Sequence, residues 1–422
     1  MAVQESSQVK QQLLEKGWDR GWTDRLQVGN FYIPRMIEDI IADSFKPRGK
    51  ICILSIDGGG MRGIIPARIL AHLEQSLQRK SNNPKARIAD YFDVAAGTNS
   101  GGITATLLLT PDENGLPLFQ PQQICDLFAK KGNPIFKSSL LSRLIKSQQP
   151  TKQIERFLKQ ILIRDTQELT LRDTLKPLLI PCYDLSSSGA FLFSRAGAME
   201  AEEWNFPLWQ ICRATTASPL WFRPAQVRSV DGKTVCTAVD GGLVMNNPTA
   251  SAITHVLHNK KEFPTVGGAK DLLVLSLGTG QFDQSLQYEK VRRWRPDQWA
   301  KPMMNVVADG ISDMVDHTVS LAFSDCHQNY LRLQPSGGAA LGMDDPSPSN
   351  VKRFLKMADD LLEQKSLEYS PFGGKIELTQ TNAERLDWFA DQLIQEQKSR
   401  ALRTSPTAIL KQAALAPSKP LP

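Results

Sequence analysis

No stretch of about 18 consecutive apolar residues occurs in this 422-residue chain, so no segment is expected to cross a bilayer as a helix. The opening residues, Met1-Ala2-Val3-Gln4-Glu5-Ser6-Ser7, lack the charged-then-apolar order of a secretory leader, and none is expected. Cysteine is sparse and scattered: Cys52, Cys125, Cys182, Cys212, Cys236 and Cys326 form no C-x-x-C pair. Several sit in apolar, strand-like runs, the setting of reduced, buried thiols in a cytosolic protein rather than of disulfides or metal ligands. Histidine is scarcer still, and His255 and His258 stand three apart on an expected helix with no acidic neighbour to complete a metal site. Neither a metal nor another cofactor is expected. A strong excess of one charge is also missing. The net charge of +6 is mild for the length and does not call for nucleic acid, although it suits attraction to an anionic membrane surface. Nothing in the sequence bears on oligomeric state.

What is present is alternation. From Lys50 to Gly280 short apolar runs and helix-periodic stretches take turns, the pattern of a mainly parallel sheet covered by helices on both faces, and so of an α/β domain. Strands are expected at Ile51–Ile56, Phe92–Ala96, Leu178–Tyr183, Ala190–Ser194, Thr234–Val239 and Leu272–Leu277. Between them, Pro66–Gln78 reads as a helix with proline in its first turn and Ile69, Leu70, Leu73 and Leu77 on one face. Helices are expected also at Ile124–Phe136, Leu208–Ala217 and Pro248–Leu257. The organisation that follows is an N-terminal helical extension over 1–49, a main domain over 50–280, a C-terminal helical extension packed on the core over 281–396, and a disordered tail over 397–422. The first of these has helical spacing at Val9–Leu14 and Met36–Phe45. The last contains no acidic residue and is rich in proline, serine and alanine.

Three glycine-marked turns carry the chemistry. Asp57-Gly58-Gly59-Gly60-Met61-Arg62-Gly63 follows a strand and precedes a helix. Its glycines let backbone N–H groups converge on a developing anion and Arg62 adds charge, as an oxyanion hole requires. A plain tight turn competes with that reading. So does a dinucleotide fingerprint, since Gly58, Gly60 and Gly63 satisfy G-x-G-x-x-G; against it, Asp57 would set a carboxylate beside the pyrophosphate. The second turn, Gly97-Thr98-Asn99-Ser100-Gly101-Gly102, joins a buried strand to a helix in the layout of a nucleophile elbow. Gly97 and Gly101 frame Asn99, so an amide holds the tip. Ser100, one position late, is the candidate nucleophile, with Thr98 the other hydroxyl of the turn. The third, Asp240-Gly241-Gly242, ends a strand; by itself it is a turn, but beside the other two Asp240 becomes a candidate base for a Ser–Asp dyad.

Taken in order, the glycine loop, the elbow, Ala214-Thr215-Thr216-Ala217-Ser218-Pro219, Asp240-Gly241-Gly242 through Asn246-Asn247-Pro248-Thr249, and Leu275-Ser276-Leu277-Gly278-Thr279-Gly280 resemble the patatin-like phospholipase family. Leu243–Pro248, His255–Lys260 and Arg292-Arg293-Trp294-Arg295 resemble more narrowly the plant patatin-related phospholipase A group III branch. The resemblance implies a three-layer α/β/α patatin-like fold and hydrolysis of acyl esters of membrane lipids, phospholipids and galactolipids. It implies Asp240 as the dyad acid and Gly58, Gly59 and Gly60 as the oxyanion loop. The nucleophile position falls on Asn99, a departure that the group III branch is similar in showing. A catalytically impaired lipid-binding or regulatory relative is the alternative that Asn99 raises. Lys290–Trp299 mixes cations with Trp294 and Trp299, as a lipid interface does, so a cytoplasmic protein with peripheral membrane contact is expected; a solvated helix face with packed tryptophans is the plainer reading.

Overall fold

A computed structural model describes residues 49–136, 149–219, 221–281, 287–336, 345–369 and 374–401. The helices expected at Val9–Leu14 and Met36–Phe45, and the tail beyond 401, lie outside them.

Strand β1 (Ile51–Ile56) is buried from Cys52 onward, as a central parallel strand covered on both faces must be. It belongs to an eight-stranded sheet whose other members are β2 (Val94–Gly97), β3 (Leu178–Asp184), β4 (Gly189–Ser194), β5 (Ala225–Arg228), β6 (Val235–Asp240), β7 (Leu272–Leu277) and β8 (Tyr330–Leu333). The hydrogen-bonded order is β8-β7-β1-β2-β3-β6-β5, with β4 paired to β3. From β8 to β3 the neighbours are parallel: Ile53 lies opposite Val94, Leu54 opposite Leu275, and Leu331 opposite Leu275. Strand β6 runs antiparallel to β3, and so does β4.

Helices complete two outer layers. On one face Cys52, Leu54 and Ile56 of β1 pack into a cluster with Leu70 and Leu77 of α1 (Ile64–Ser81), flanked by α2 (Ser100–Leu109) and α3 (Pro121–Phe136). On the other face Ile53, Val94, Ala96 and Val274 meet Ile253 and Val256 of a helix that follows β6. This strict alternation along β1 is the period-2 signature of a sheet between two helical layers. The remaining helices of eight residues or more among the described residues are α4 (Gln149–Leu162), α5 (Leu208–Thr215), α6 (Thr249–His258), α7 (Pro296–Ala322), α8 (Pro348–Glu363) and α9 (Asn382–Ala401). The last of these continues five residues beyond Glu396, past the point where a tail was expected to begin. All six cysteines are free and buried.

One feature of the register positions the site. Strand β4 occupies one edge of β3 from Leu179 to Asp184. The opposite edge of β3 is therefore shared: Ala95 and Ala96 of β2 face Leu178 and Leu179, while Asp240 of β6 faces Cys182. Strands β2 and β6 run toward each other along that edge and stop short of meeting. The turn that leaves β2 and the acid that ends β6 are thereby brought together at the carboxyl end of the parallel strands, where ligand sites of such sheets lie.

Candidate active site

The elbow forms as its glycines dictate. A Cβ at Gly97 would lie 2.3 Å from the Gly101 carbonyl oxygen, and one at Gly101 would lie 2.3 Å from that of Ile56, so strand and helix can pass this closely only without side chains. Between the two glycines Asn99 takes φ 52° and ψ −122°, a conformation that side-chain-bearing residues rarely adopt and that clusters at functional sites. Its side chain is fully committed. Oδ1 accepts from the Ser100 N–H at 2.7 Å and caps α2. Nδ2 donates to Asp240 Oδ2 at 2.7 Å and to Ser218 Oγ at 3.1 Å. The Asn99 N–H is held by Thr215 Oγ1 at 3.0 Å.

Asp240 is the hub. Its Oδ1 accepts from the Gly242 N–H at 2.8 Å, and its Oδ2 accepts from Asn99 and from the Ser218 hydroxyl. Burial pushes its carboxyl above the ordinary value of 3.8, with the hydrogen bonds from Ser218, Gly242 and Asn99 pulling the other way. Ser218 reaches it because the segment after α5 is stitched to β6: the Asp240 N–H donates to the Ala217 carbonyl at 3.2 Å and the Gly241 N–H to that of Thr215 at 3.4 Å.

The glycine loop borders the elbow, since a Cβ at Gly58 would sit 3.2 Å from that of Asn99. The Gly58 N–H is taken by the Asn246 carbonyl at 3.0 Å, and the Gly58 carbonyl accepts from Thr279 Oγ1 at 2.6 Å. The N–H groups of Gly59 and Gly60 have no hydrogen-bond partner among the described residues, and Gly60 turns at φ 58°. Asp57, at the root of the loop, is clasped by both guanidinium nitrogens of Arg332; burial nevertheless pushes its carboxyl up to about 6. Arg62 donates to the Gly280 carbonyl at 2.8 Å and so ties the loop to the turn after β7, while burial pulls its own pKa down to about 10.

The structure thus brings together Asp240, Asn99 and the loop of Gly58, Gly59 and Gly60. Ser100 stands apart from this group. It opens α2, is buried, has no hydrogen-bond partner for its Oγ among the described residues, and rests against Gly63, where a Cβ would lie 2.8 Å from that oxygen. The other elbow hydroxyl, Thr98 Oγ1, donates to the Met245 carbonyl at 2.5 Å. The hydroxyl that does touch Asp240, Ser218, has no sequence signal of its own beyond its place in Ala214–Pro219. Among the described residues no group of three His, Cys, Asp or Glu side chains is placed to hold a metal ion.

A sequence model of the family described as "Patatin-like phospholipase" matches residues 54–253. The chain is similar to Patatin-like protein 6 of Arabidopsis thaliana, with 49% identity over 87% of this chain and 76% of that protein. Patatin-like protein 7 of the same plant is 47% identical over 90% and 80%. A third relative from that plant, named Probable inactive patatin-like protein 9, is 43% identical over 83% and 88%.

Proposed function

The chain belongs to the patatin-like phospholipase family, a family of lipid hydrolases, and from that premise we propose that it hydrolyses fatty acyl esters of phospholipids and galactolipids through a Ser/Asp-type site. In this reading Asp240 is the general base, and the N–H groups of Gly59 and Gly60 receive the oxyanion of the tetrahedral intermediate. The observation that carries it is Asp240 itself. Its buried carboxylate is seated against the strained tip of the elbow, 2.7 Å from Asn99, beside a glycine loop two of whose amides have no partner among the described residues. A raised pKa suits a base that must both take and return a proton near neutrality. The narrower likeness to the plant group III branch fits the same reading, because the tip is an amide here.

The substrate is a bilayer component, and the surface near Lys290–Trp299 supports contact with one. Tyr288, just before this segment, and Met303, Val306, Val307 and Met314 along α7 are exposed apolar side chains. Basic residues accompany them, although Arg292 is paired with Glu289 at 2.7 Å. Among the described residues no helix is long and apolar enough to cross a membrane. A cytoplasmic protein that touches membranes from outside is the location we propose.

A second reading, a lipid-binding relative without turnover, is favoured by Asn99 at the tip and by the name of the 43%-identical relative. The deciding experiment is acyl release from phosphatidylcholine, galactolipid and p-nitrophenyl ester by purified protein, wild type beside Asp240→Asn. Hydrolysis that Asp240→Asn abolishes supports the enzyme. Absence of release together with liposome binding supports the second reading.

A further inference from the structure

We infer that Ser218 is the nucleophile of this chain, an inference that rests on the ester hydrolysis proposed above. A dyad nucleophile needs a hydroxyl whose proton already points at a carboxylate and whose oxygen a substrate can reach. Four hydroxyls lie in or beside the elbow, and three are otherwise engaged or turned away. Thr98 Oγ1 is spent on the Met245 carbonyl, Thr215 Oγ1 accepts from the Asn99 N–H, and Ser100 Oγ is buried against Gly63 without touching Asp240. Ser218 alone among them donates to Asp240, through Oδ2. Ser218 is half-buried and followed by the exposed Pro219, whereas Asp240 is buried, so the serine is the more accessible member of the pair.

Its position is fixed from both sides. The Ser218 N–H donates to the Thr216 carbonyl at 2.8 Å, and its own carbonyl accepts from Trp221 at 3.1 Å and Phe222 at 2.9 Å. Base and hydroxyl therefore sit on two hydrogen-bonded segments and need no rearrangement to meet. Asn99 acquires a purpose in this arrangement. Its Nδ2 lies 3.1 Å from Ser218 Oγ and occupies one of the two acceptor lone pairs of that oxygen, leaving the other for attack. As the proton leaves, the same N–H steadies the growing negative charge.

The chemistry balances without any other reagent than ester and water. Asp240 takes the Ser218 proton as Oγ bonds to the ester carbonyl carbon, and the carbonyl π pair moves onto oxygen. Collapse of that intermediate breaks the bond to the alcohol oxygen, which departs with the proton from Asp240. Water then adds to the acyl-Ser218 carbonyl, giving a proton to Asp240. The second collapse releases the fatty acid and returns the proton to Ser218.

The test maps the nucleophile directly. Purified full-length protein is treated with an alkyl fluorophosphonate, digested, and the adduct located by mass spectrometry, alongside hydrolysis of a p-nitrophenyl ester. The expected adduct is on Ser218, and Ser218→Ala is expected to lose the label and lower hydrolysis by about 100-fold or more. Asp240→Asn is expected to suppress labelling as well, since the base is gone. Hydrolysis with the adduct on Ser100 or elsewhere, or hydrolysis retained in Ser218→Ala, overturns the assignment of Ser218 and leaves acyl hydrolysis standing. Neither hydrolysis nor adduct in the wild type overturns both. The adduct is mapped on unaltered protein, so the result does not depend on a variant that folds.

Discussion

Arg332 on the edge strand β8 clasps Asp57, the first residue after β1, with two parallel hydrogen bonds of 2.7 and 3.0 Å. Its Nε meets Asp316 of α7 at 3.0 Å, and Asp316 in turn accepts from Asn247 Nδ2 at 2.7 Å. Next along the chain, the Asn246 carbonyl holds the Gly58 N–H. A buried polar network thus runs from residues beyond 280 to the root of the glycine loop. The C-terminal part of the chain contributes a strand to the main sheet and the cation that neutralises Asp57.

Arg332→Met should therefore cost about 3–5 kcal/mol of stability, because it strands two buried carboxylates without their counter-charge. Urea unfolding reads this. The deficit should also depend on pH. Burial already lifts Asp57 to about 6 from an ordinary 3.8, so in the wild type its contribution is full below the lower value and lost as pH rises through the higher one. Without Arg332 the same carboxyl is lifted further, and the variant should fall further behind the wild type at pH 8 than at pH 5. A deficit that shrinks on raising the pH would contradict this account.

Gly59→Ala tests the loop. A Cβ there would lie 2.4 Å from Thr279 Oγ1, whose hydrogen bond to the Gly58 carbonyl leaves it little room to yield. The loop must shift, and its amides with it. Hydrolysis should drop by roughly 10²- to 10³-fold, the usual effect of a lost oxyanion donor. Strain from the added methyl should cost about 1–3 kcal/mol. Catalysis falling no more than stability implies would remove the loop amides from the site.

Much of this was legible in the chain itself, and the exceptions have physical causes. Apolar runs bounded by glycine mark β1, β2, β6 and β7 to within two residues at each end, and the face Ile69, Leu70, Leu73 and Leu77 of α1 is wholly buried. Strand β5 carries little signal because Ala225-Gln226-Val227-Arg228 alternates only twice, and so does the hairpin of Lys365–Tyr369 with Lys375–Thr381, whose second strand is largely exposed. The glycines framing Asn99 announce the elbow tip, and the structure keeps Asn99 there. Ser218 was invisible as a partner of Asp240. Their contact spans 22 residues and depends on β6 running antiparallel along the edge of β3 that β2 also uses, which no local spacing encodes.

The pH–rate profile should carry the mark of Asp240. The base must be ionised to accept a proton, so activity should fall on the acid side as Asp240 protonates. Burial raises its pKa, which places that limb above the ordinary carboxylate midpoint of 3.8. Asn99→Ala removes one of the hydrogen bonds that favour the carboxylate and should move the limb to higher pH. A limb at or below the ordinary midpoint would mean that Asp240 is not the group titrating.

Replacing Arg292, Arg293 and Arg295 together by Gln should weaken co-sedimentation with anionic liposomes, and the difference should be largest at low salt, where charges are least screened. Glu289 and Asp297 now pair with Arg292 and Arg295, so the change leaves local acids uncompensated and reverses the sign of the patch. Trp294 and Trp299 pack edge to face, 5.0 Å between ring centres, which is how a solvated helix face would also store them. Unchanged sedimentation would identify this segment as that solvated face and nothing more.

Asn99→Ser puts a hydroxyl at the framed tip and removes the donor that serves Ser218. The backbone there, φ 52° and ψ −122°, is set by the glycines on either side and not by the asparagine, so a serine inherits the same orientation. Serine also caps helices well, so α2 should keep its start and stability should change little. The new Oγ would stand at the framed tip, beside Asp240 and the glycine loop, and hydrolysis should rise as a hydroxyl returns to the position that the elbow layout gives to the nucleophile. The fluorophosphonate adduct should then move from Ser218 to position 99, and adding Ser218→Ala should no longer abolish it. An inert Asn99→Ser/Ser218→Ala protein that still folds would mean that a hydroxyl at position 99 does not take over the attack, and would leave Ser218 as the nucleophile of the native chain.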